Sequence, residues 1–331
     1  MNRKKKKGMA LAFMAVLLLV LIAIDLRSGY SSISFSDMAE LLQGKASRAL
    51  SYTFFELRMP RIVITILIGA GLALSGMLLQ AITHNDMADP GLLGINAGSG
   101  VALAIFFVFF KQSAKHFSAW LPILSFAGAF LTFFVEYRLA SVRKKMHPKR
   151  LLLIGVAVSL ALSSLTTMLM LRMPDQDHAF VQSWLAGSIW GATWDNVLLL
   201  ALTFVPLGLL VYYFAFTLDL FDLGHTNAVS LGVDVKKMSA LLLGTAVAFS
   251  SLCCAVGGGL SFVGLICPHL ARRLIGARHR VLVPASALTG AVLMCGADIL
   301  SRTLLLPNEI PVGIVAAVLG APYFLYLLVK E

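Results

Sequence analysis

Residues 61–82 read RIVITILIGAGLALSGMLLQAI, and Arg61 is the only charged residue among them. A helix needs about 20 predominantly apolar residues to cross the hydrocarbon core of a bilayer. Within lipid the segment must also satisfy its own backbone hydrogen bonds, which a helix does and an isolated strand does not. This stretch therefore predicts a membrane-spanning helix.

Comparable apolar segments recur along the chain, at residues 9–26, 91–110, 118–139, 151–172, 194–217, 238–256, 260–275, 281–301 and 310–329. The 331-residue chain is 59% hydrophobic and 13% charged, whereas soluble domains carry about 25% charged residues. We therefore expect an all-α polytopic membrane protein with about ten transmembrane helices, forming one domain over residues 1–331. The segment 260–275 is short, contains Pro268 and follows Gly257-Gly258-Gly259, a run that predicts a break within a longer buried element.

Basic residues are distributed unequally between the two sides of the predicted helices. With the N-terminus inside, 18 of the 27 Lys and Arg residues fall in inner segments, and such a bias marks the cytoplasmic side. The pattern predicts that both termini are cytoplasmic, and it explains the formal net charge of +11 without nucleic-acid binding. Residues 3–26 resemble a signal peptide, but no Ala-x-Ala site follows, which favours a retained first helix.

Two connecting segments have the composition of ordered structure. The serine-rich run from Ser31 to Asp37 predicts a capped short helix over 37–43. In the inner segment 218–237, two aspartates surround apolar residues and two glycines provide stops. We expect a short amphipathic element against the cytoplasmic face there, which includes Asp219, Leu220, Phe221, Asp222, Leu223, Gly224 and Gly232.

Small residues recur four positions apart within the apolar segments, a spacing that lets helix backbones approach closely. The pairs are Gly69 and Ala73, Gly71 and Ser75, Gly244 and Ala248, Gly313 and Ala317, and Ala316 and Gly320. The cysteines also lie in apolar segments, at spacings that match no zinc or redox motif; they are Cys253, Cys254, Cys267 and Cys295. We interpret both sets as packing residues and expect no metal site.

Motifs of enzymes that hydrolyse ATP or act within membranes are absent from the sequence. Its only Gly-Lys pair, Gly44-Lys45, lacks the upstream glycine and the following Ser or Thr of a P-loop, so ATP hydrolysis is left to another polypeptide. Ser75 and Ser99 precede glycines but have no obvious histidine partner, and His-Glu-x-x-His is absent. An intramembrane enzyme is therefore disfavoured.

Two charged residues, Asp298 and Arg302, lie late in the apolar sequence. Charges inside a membrane are costly and are usually paired or functional, and a spacing of four places both on one helix face. This favours an ion pair or an outer docking charge over the proton relay of an ion-coupled secondary transporter, which is the alternative class. Met168, Met170 and Met173 are interpreted as core packing, with a path lining for bulky cargo as the alternative.

Several motifs, taken in chain order, point to one transporter family. They are Arg58-Met59-Pro60-Arg61, the run Gly69 to Gly76 with Gln80, Trp184-Leu185-Ala186-Gly187-Ser188, Leu231-Gly232-Val233, the run Ser261 to His269, Ala297-Asp298 with Arg302, and Glu309 to Gly313 leading to Gly320-Ala321-Pro322. This ordered set resembles the FecCD family of ABC importer permeases, which includes vitamin B12, haem and iron–siderophore permeases. One departure is Asn85-Asp86-Met87-Ala88, where the family usually reads Asn-Pro-Leu-Ala.

The resemblance implies a type II ABC importer permease of the bacterial cytoplasmic membrane, with its second to fifth and seventh to tenth helices related as an inverted repeat. It implies a second permease subunit, identical or paralogous, a cytoplasmic ATPase dimer that uses ATP, and an extracytoplasmic substrate-binding protein. This chain would contact membrane lipid and bind no cofactor. An iron(III)–siderophore complex is the expected cargo, with vitamin B12 and haem as alternatives.

Site roles also follow from the resemblance, position by position. Arg58, Arg61 and Arg302 match the outward, exposed arginines that meet acidic residues of the binding protein, with anchoring of helix ends at lipid headgroups as the alternative. The segment 219–234, which also contains His225, matches the element that couples the permease to the ATPase. The remaining roles are an outer gate at Asp177, His178, Phe180 and Gln182 within 176–183, and an inner gate at His147, Pro148 and Lys149.

Overall fold

The computed structural model describes residues 3–29, 33–110, 117–142, 145–146, 148–189 and 191–330, which are almost entirely α-helical. The helices are α1 (Arg3–Arg27), α2 (Phe35–Leu42), α3 (Arg48–Tyr52), α4 (Met59–Thr83), α5 (Ile95–Phe109), α6 (Phe117–Ala140), α7 (Pro148–Met170), α8 (Asp175–Leu185), α9 (Trp194–Tyr213), α10 (Ala215–Phe221), α11 (His225–Ser230), α12 (Val235–Gly257), α13 (Val263–Ile275), α14 (His279–Thr303) and α15 (Val312–Lys330). A π-helical turn over Thr53–Arg58 continues α3 into α4, and a 3-10 turn over Pro90–Leu93 precedes α5. Short strands at Ser141–Val142 (β1) and Lys145–Met146 (β2) pair between α6 and α7.

Ten of these helices correspond one to one to the apolar segments of the sequence. Within the described residues, seven helical spans are long and apolar enough to cross a membrane, and α5 and α15 are shorter but apolar. The tenth, α13, has 13 residues and carries Arg272 and Arg273 in its last turn. The expected all-α fold with about ten membrane helices is confirmed, and α13 is its short, partly polar member.

Helix contacts repeat between the two halves of the bundle. α4 packs on α14 as α12 packs on α6, and α4 and α12 also contact each other. The contacts of α5 with α6, α7 and α12 have counterparts in the contacts of α13 with α14, α15 and α4. Four crossings, α5, α6, α7 and α9, lie between α4 and α12, so α4 and α12, and the units that they begin, run in opposite directions. This is the pattern of an inverted repeat.

Glycines allow α4 to lie directly against α14 and α13. A Cβ atom added at Gly69 would overlap the backbone of Gly290, and one added at Gly290 would overlap Gly69. A Cβ atom added at Gly76 would likewise overlap the backbone of Gly264. Because no side chain separates these backbones, the helices pack closely at both points. The run from Gly69 to Gly76 therefore places α4 at the centre of the bundle.

The chain is broken between α12 and α13, where the glycine run predicted a break. α12 ends at Gly257, and the helical conformation resumes at Val263. Between them, Gly258 and Phe262 have positive φ angles of 73° and 69°. Glycine adopts this conformation readily, whereas a bulky residue is held there by its surroundings.

Three smaller expectations differ from the structure. α2 begins at Phe35, two residues before the predicted start, because Ser34 caps it in a capping box with Asp37; Ser31 and Ser32 lie outside the described residues. The segment 219–234 contains the end of α10 and all of α11, separated at Gly224, instead of one element. Gly244 has open space beside it, so its interpretation as a close-packing residue was wrong.

Substitution of Gly290 by alanine tests the α4–α14 contact. Gly290→Ala would place a methyl group against the Gly69 backbone, and overpacking of this kind destabilises by about 1–3 kcal/mol. Gly296→Ala on the same helix is the matched control, because nothing lies near its added Cβ. We expect a lower thermal midpoint in detergent for Gly290→Ala and an unchanged or higher one for Gly296→Ala. Equal midpoints would contradict the contact.

Candidate functional site

Charged side chains lie at both ends of the bundle. The end that the distribution of Lys and Arg predicts to be cytoplasmic is called the inner end, and the opposite one the outer end. At the outer end, Arg61 lies between two carboxylates. Its Nη2 is 2.9 Å from Asp298 Oδ1, and its Nη1 is 2.9 Å from Glu309 Oε2. Asp298 is completely buried, whereas the Glu309 side chain is 47% exposed. Arg61 therefore joins a buried acid on α14 to an acid at the surface.

The same carboxylate, Asp298, also pairs with Arg302 one helical turn further on. Arg302 Nε lies 3.2 Å from Asp298 Oδ2, and the guanidinium also forms an ion pair with the buried Asp25 of α1. Arg58 donates to the carbonyl of Leu26. We call Asp25, Arg58, Arg61, Asp298, Arg302 and Glu309 the outer charge network. It ties α1, α4 and α14 together at one end of the bundle.

These contacts confirm one expectation and correct the premise of another. Asp298 and Arg302 form the ion pair that their spacing predicted. The three arginines, in contrast, are not freely exposed, because Arg58 and Arg302 are buried and Arg61 is mostly covered. No pattern in the sequence identified Asp25 and Glu309 as their partners. Docking of a binding protein on these arginines stays a prediction.

Removal of the shared carboxylate tests the outer charge network. Asp298→Asn leaves Arg61 and Arg302 with one acid fewer in a buried setting, and breaking such a pair costs about 3–5 kcal/mol. We expect a clear fall in thermal midpoint of the purified protein in detergent. Glu40→Gln, an exposed acid on α2, is the control and should leave the midpoint unchanged. An unaltered Asp298→Asn protein would show that the network contributes little.

At the inner end, Asp219 of α10 is held by the first residue of α14. Its Oδ1 accepts from the backbone N–H of His279 at 2.8 Å and lies 2.9 Å from the ring Nδ1. A carboxylate at this position is stabilised by the free N–H groups of the helix N-terminus. The His279 side chain is completely buried. The predicted coupling segment is therefore fastened to α14.

Asp222, which directly follows α10, lies 3.8 Å from His279 Nδ1. Burial raises the pKa of this carboxyl group, and the neighbouring His279 and Arg272 oppose that shift. The ligand atoms of Asp219, Asp222 and His279 lie within 4.8 Å of one another. Three such groups are enough to coordinate a cation. The hydrogen bonds between Asp219 and His279 already explain, however, why these side chains lie close together.

The turn after α4, which lacks the proline usual in the family, is ordered by polar contacts. Asn85 Oδ1 accepts the backbone N–H of Met87 at 2.9 Å, which forms an Asx turn. Asp86 occupies the proline position and forms an ion pair with Arg272 of α13. The substitution therefore replaces a rigid residue with a link to the neighbouring helix, and Asp86 borders a polar cavity of about 550 Å³.

The predicted gates and methionines are only partly placed by the structure. The outer-gate residues lie on α8, whose Phe180 ring is 5.6 Å from that of Phe107 on α5. Met170 and Met173 are buried in a cluster with Trp184, as expected for core packing, whereas Met168 is exposed. Of the inner-gate residues, His147 lies outside the described residues, and Pro148 and Lys149 begin α7.

One polar feature of α7 was missed by the sequence analysis. Ser159, Ser163, Thr166 and Thr167 face a cavity of about 330 Å³ between α7, α5 and the break before α13. Their spacing places them on one face of the helix. Hydroxyl groups four and seven positions apart within an otherwise apolar helix were the available signal.

Comparison with known proteins identifies the family of this fold. The sequence profile described as the FecCD transport family matches residues 17–330. The chain belongs to the FecCD transport family. It is similar to the iron(3+)-hydroxamate import system permease protein FhuG of Bacillus subtilis (strain 168), with 40% identity over 99% of both chains. The Fe(3+) dicitrate transport system permease protein FecD of Escherichia coli (strain K12) is also 40% identical, over 88% of this chain and 90% of FecD.

Other FecCD relatives extend the comparison to haem and to a solved structure. The hemin transport system permease protein HmuU of Yersinia pestis is 33% identical over all of this chain and 98% of HmuU. A structure described as an inward-facing conformation of a metal-chelate type ABC transporter matches with a TM-score of 0.84 and 28% identity, over 97% of this chain and 99% of that chain. The expected family and fold are confirmed, and the protein is a multi-pass permease of a bacterial inner membrane.

Proposed function

We propose that this chain is the membrane-spanning subunit of an ABC importer that carries an iron(III)–siderophore complex into the cytoplasm. The FecCD match over residues 17–330 carries the proposal. Relatives named for iron(III) hydroxamate and iron(III) dicitrate, each 40% identical, support iron chelates as cargo. The similarity to HmuU supports haem as the alternative cargo. Energy would come from a separate ATPase, because the sequence has no P-loop.

The inner end offers a surface for that ATPase dimer. Leu223, Val229 and Leu231 are about half exposed at α10–α11, and exposed apolar residues on an ordered segment suit a protein interface. Asp219 connects this segment to α14 through a hydrogen bond, so a displacement of the segment by the ATPase would be transmitted to that helix. We therefore assign residues 219–234 of the single domain to ATPase coupling and place both termini in the cytoplasm.

The outer charge network offers a surface for the substrate-binding protein. Its three arginines are matched by three carboxylates, of which Glu309 is the exposed one. An acidic residue of the binding protein would replace Glu309 beside Arg61, and charges of this kind mainly govern orientation and association rate. α8 and the start of α7 are assigned to the outer and inner gates, and a second permease, identical or paralogous, completes the path.

Uptake measurements in a strain deleted for this gene test the proposed function. Cells should lose uptake of an iron(III)–siderophore complex and regain it with the intact gene. Uptake should depend on cellular ATP and survive a protonophore, because the importer draws on nucleotide. Restored uptake of haem or vitamin B12 alone would reassign the cargo. Collapse by the protonophore with ATP intact would favour the secondary-transporter alternative.

Charge reversal at Asp219 tests the coupling segment. Asp219→Lys removes the acceptor for His279 and places a positive charge at the N-terminus of α14, where it is unfavourable. We expect transport by reconstituted importer to fall about tenfold or more, equivalent to losing at least about 1.4 kcal/mol of coupling, while ATP hydrolysis continues. Asp195→Lys, at an exposed position at the start of α9, is the control. Unimpaired transport by Asp219→Lys would refute the assignment.

A charge-balanced double variant tests docking at the outer end. Arg61→Gln with Glu309→Gln removes one charge of each sign, and Asp25 and Asp298 both keep their contact with Arg302; a thermal midpoint near that of the original protein checks that the bundle stays folded. Binding-protein association measured by surface plasmon resonance should slow about tenfold. Glu309→Gln alone keeps Arg61 and should bind at least as fast as the original. Identical association rates for all three proteins would rule out docking on Arg61.

A further inference from the structure

The cavity beside α7 lies where the membrane bundle is discontinuous. It is bounded by Asn96 of α5, by the hydroxyl face of α7 and by Gly259 and Ser261 of the break between α12 and α13. Irregular backbone at membrane depth is tolerated where it is buried in protein or lines an aqueous cavity. Broken helices also mark substrate sites in other transporters. The location therefore indicates a place where a polar molecule contacts the bundle.

The broken backbone itself is already hydrogen-bonded. Asn96 Nδ2 donates to the Leu260 carbonyl at 3.2 Å, and the Gly259 N–H donates to the Trp184 carbonyl at 3.1 Å. The break does not need water or cargo to satisfy these groups. The wall is thus formed before anything enters the cavity, which favours binding because little ordering is needed.

The lining of the cavity is polar but uncharged. Thr166 and Thr167 donate to carbonyls one turn earlier at 2.9 and 3.0 Å, and their oxygens keep lone pairs for further donors. Ser159 Oγ has no hydrogen-bond partner among the described residues. No Lys, Arg, Asp or Glu is among the described residues that line it. An ionic cargo that enters the cavity would lose its hydration without gaining an opposite charge from the protein, which is costly in a medium of low dielectric.

We propose that this cavity is a binding subsite for one face of an electrically neutral iron(III) chelate of the trihydroxamate class, in preference to anionic citrate or catecholate chelates. Three singly charged hydroxamate groups neutralise Fe³⁺, so the complex crosses low dielectric without a counter-charge. Its amide and hydroxamate oxygens accept hydrogen bonds from hydroxyl groups. The inference rests on the proposed function and adds the charge class of the cargo and the residues that meet it.

Cysteine labelling tests whether the cavity is open to water in the assembled importer. Ser163 and Thr167 are exposed within the lining, whereas Leu165 is exposed on the same helix but outside it. The native cysteines are all buried, so they give little background. Ser163→Cys and Thr167→Cys should react with a charged methanethiosulfonate reagent, and Leu165→Cys, which lies outside the lining and which we expect to contact lipid or the second permease, should not. Equal reaction at all three positions, or reaction at Leu165→Cys alone, would overturn the proposal.

Protection from labelling tests the charge class of the occupant. With binding protein and ATPase present, an iron(III) trihydroxamate should slow labelling of Ser163→Cys during turnover, whereas iron(III) dicitrate at the same concentration should not. Protection by dicitrate alone, or by neither chelate while trihydroxamate is transported, would refute the subsite. A complex that transports no iron chelate, yet shows the predicted labelling contrast, would instead refute the proposed function. The two failures are therefore distinguishable.

A matched pair of variants at Ser163 provides a second readout. Asp and Asn have nearly the same shape, so Ser163→Asp and Ser163→Asn differ mainly in charge. Ser163→Asp should lower the rate of trihydroxamate transport about tenfold relative to Ser163→Asn, with equal binding-protein association and equal protein yield. Equal transport rates for the two variants would show that the cavity does not contact the chelate.

Discussion

The direct contact between Gly69 of α4 and Gly290 of α14 fixes the register between the two helices. The helices are antiparallel, so a residue eight positions before Gly69 meets one eight positions after Gly290. Those residues are Arg61 and Asp298, whose side chains form an ion pair at 2.9 Å. Eight residues span about 12 Å of helix. The register that the glycines impose therefore also aligns the outer charge network.

α14 reaches from one polar end of the protein to the other. Its first residue, His279, holds Asp219, and its last turns carry Asp298 and Arg302. A 25-residue helix is about 37 Å long, close to the thickness of a membrane with part of its headgroups. The segment assigned to the ATPase and the surface assigned to the binding protein are thus attached to one continuous helix. A displacement of the inner end has a direct structural route to the outer end.

The sequence predicted the elements of the fold better than their partners. Hydropathy located ten helices because each long apolar run has one stable conformation in lipid, and the glycine run before α13 marked the break. Pairing of Arg302 with Asp25 was beyond reach, since the two residues are nearly a whole chain apart and no local pattern connects them. The prediction that Arg58, Arg61 and Arg302 are exposed was wrong for the same reason. The hydroxyl face of α7 was overlooked because patterns of hydropathy and of charge do not single out Ser and Thr residues.

The ion pair between Asp25 and Arg302 has a consequence for biosynthesis. Membrane helices emerge from the ribosome in chain order, so α1 enters the bilayer with its carboxylate long before α14 supplies the guanidinium. Until then Asp25 is an acid without its final counter-charge in or near lipid, which is unfavourable. Completion of the ninth crossing removes that penalty and draws α1 onto the bundle. A chain truncated before α14 would retain the uncompensated acid, and we expect its first helix to associate less firmly with the rest of the bundle.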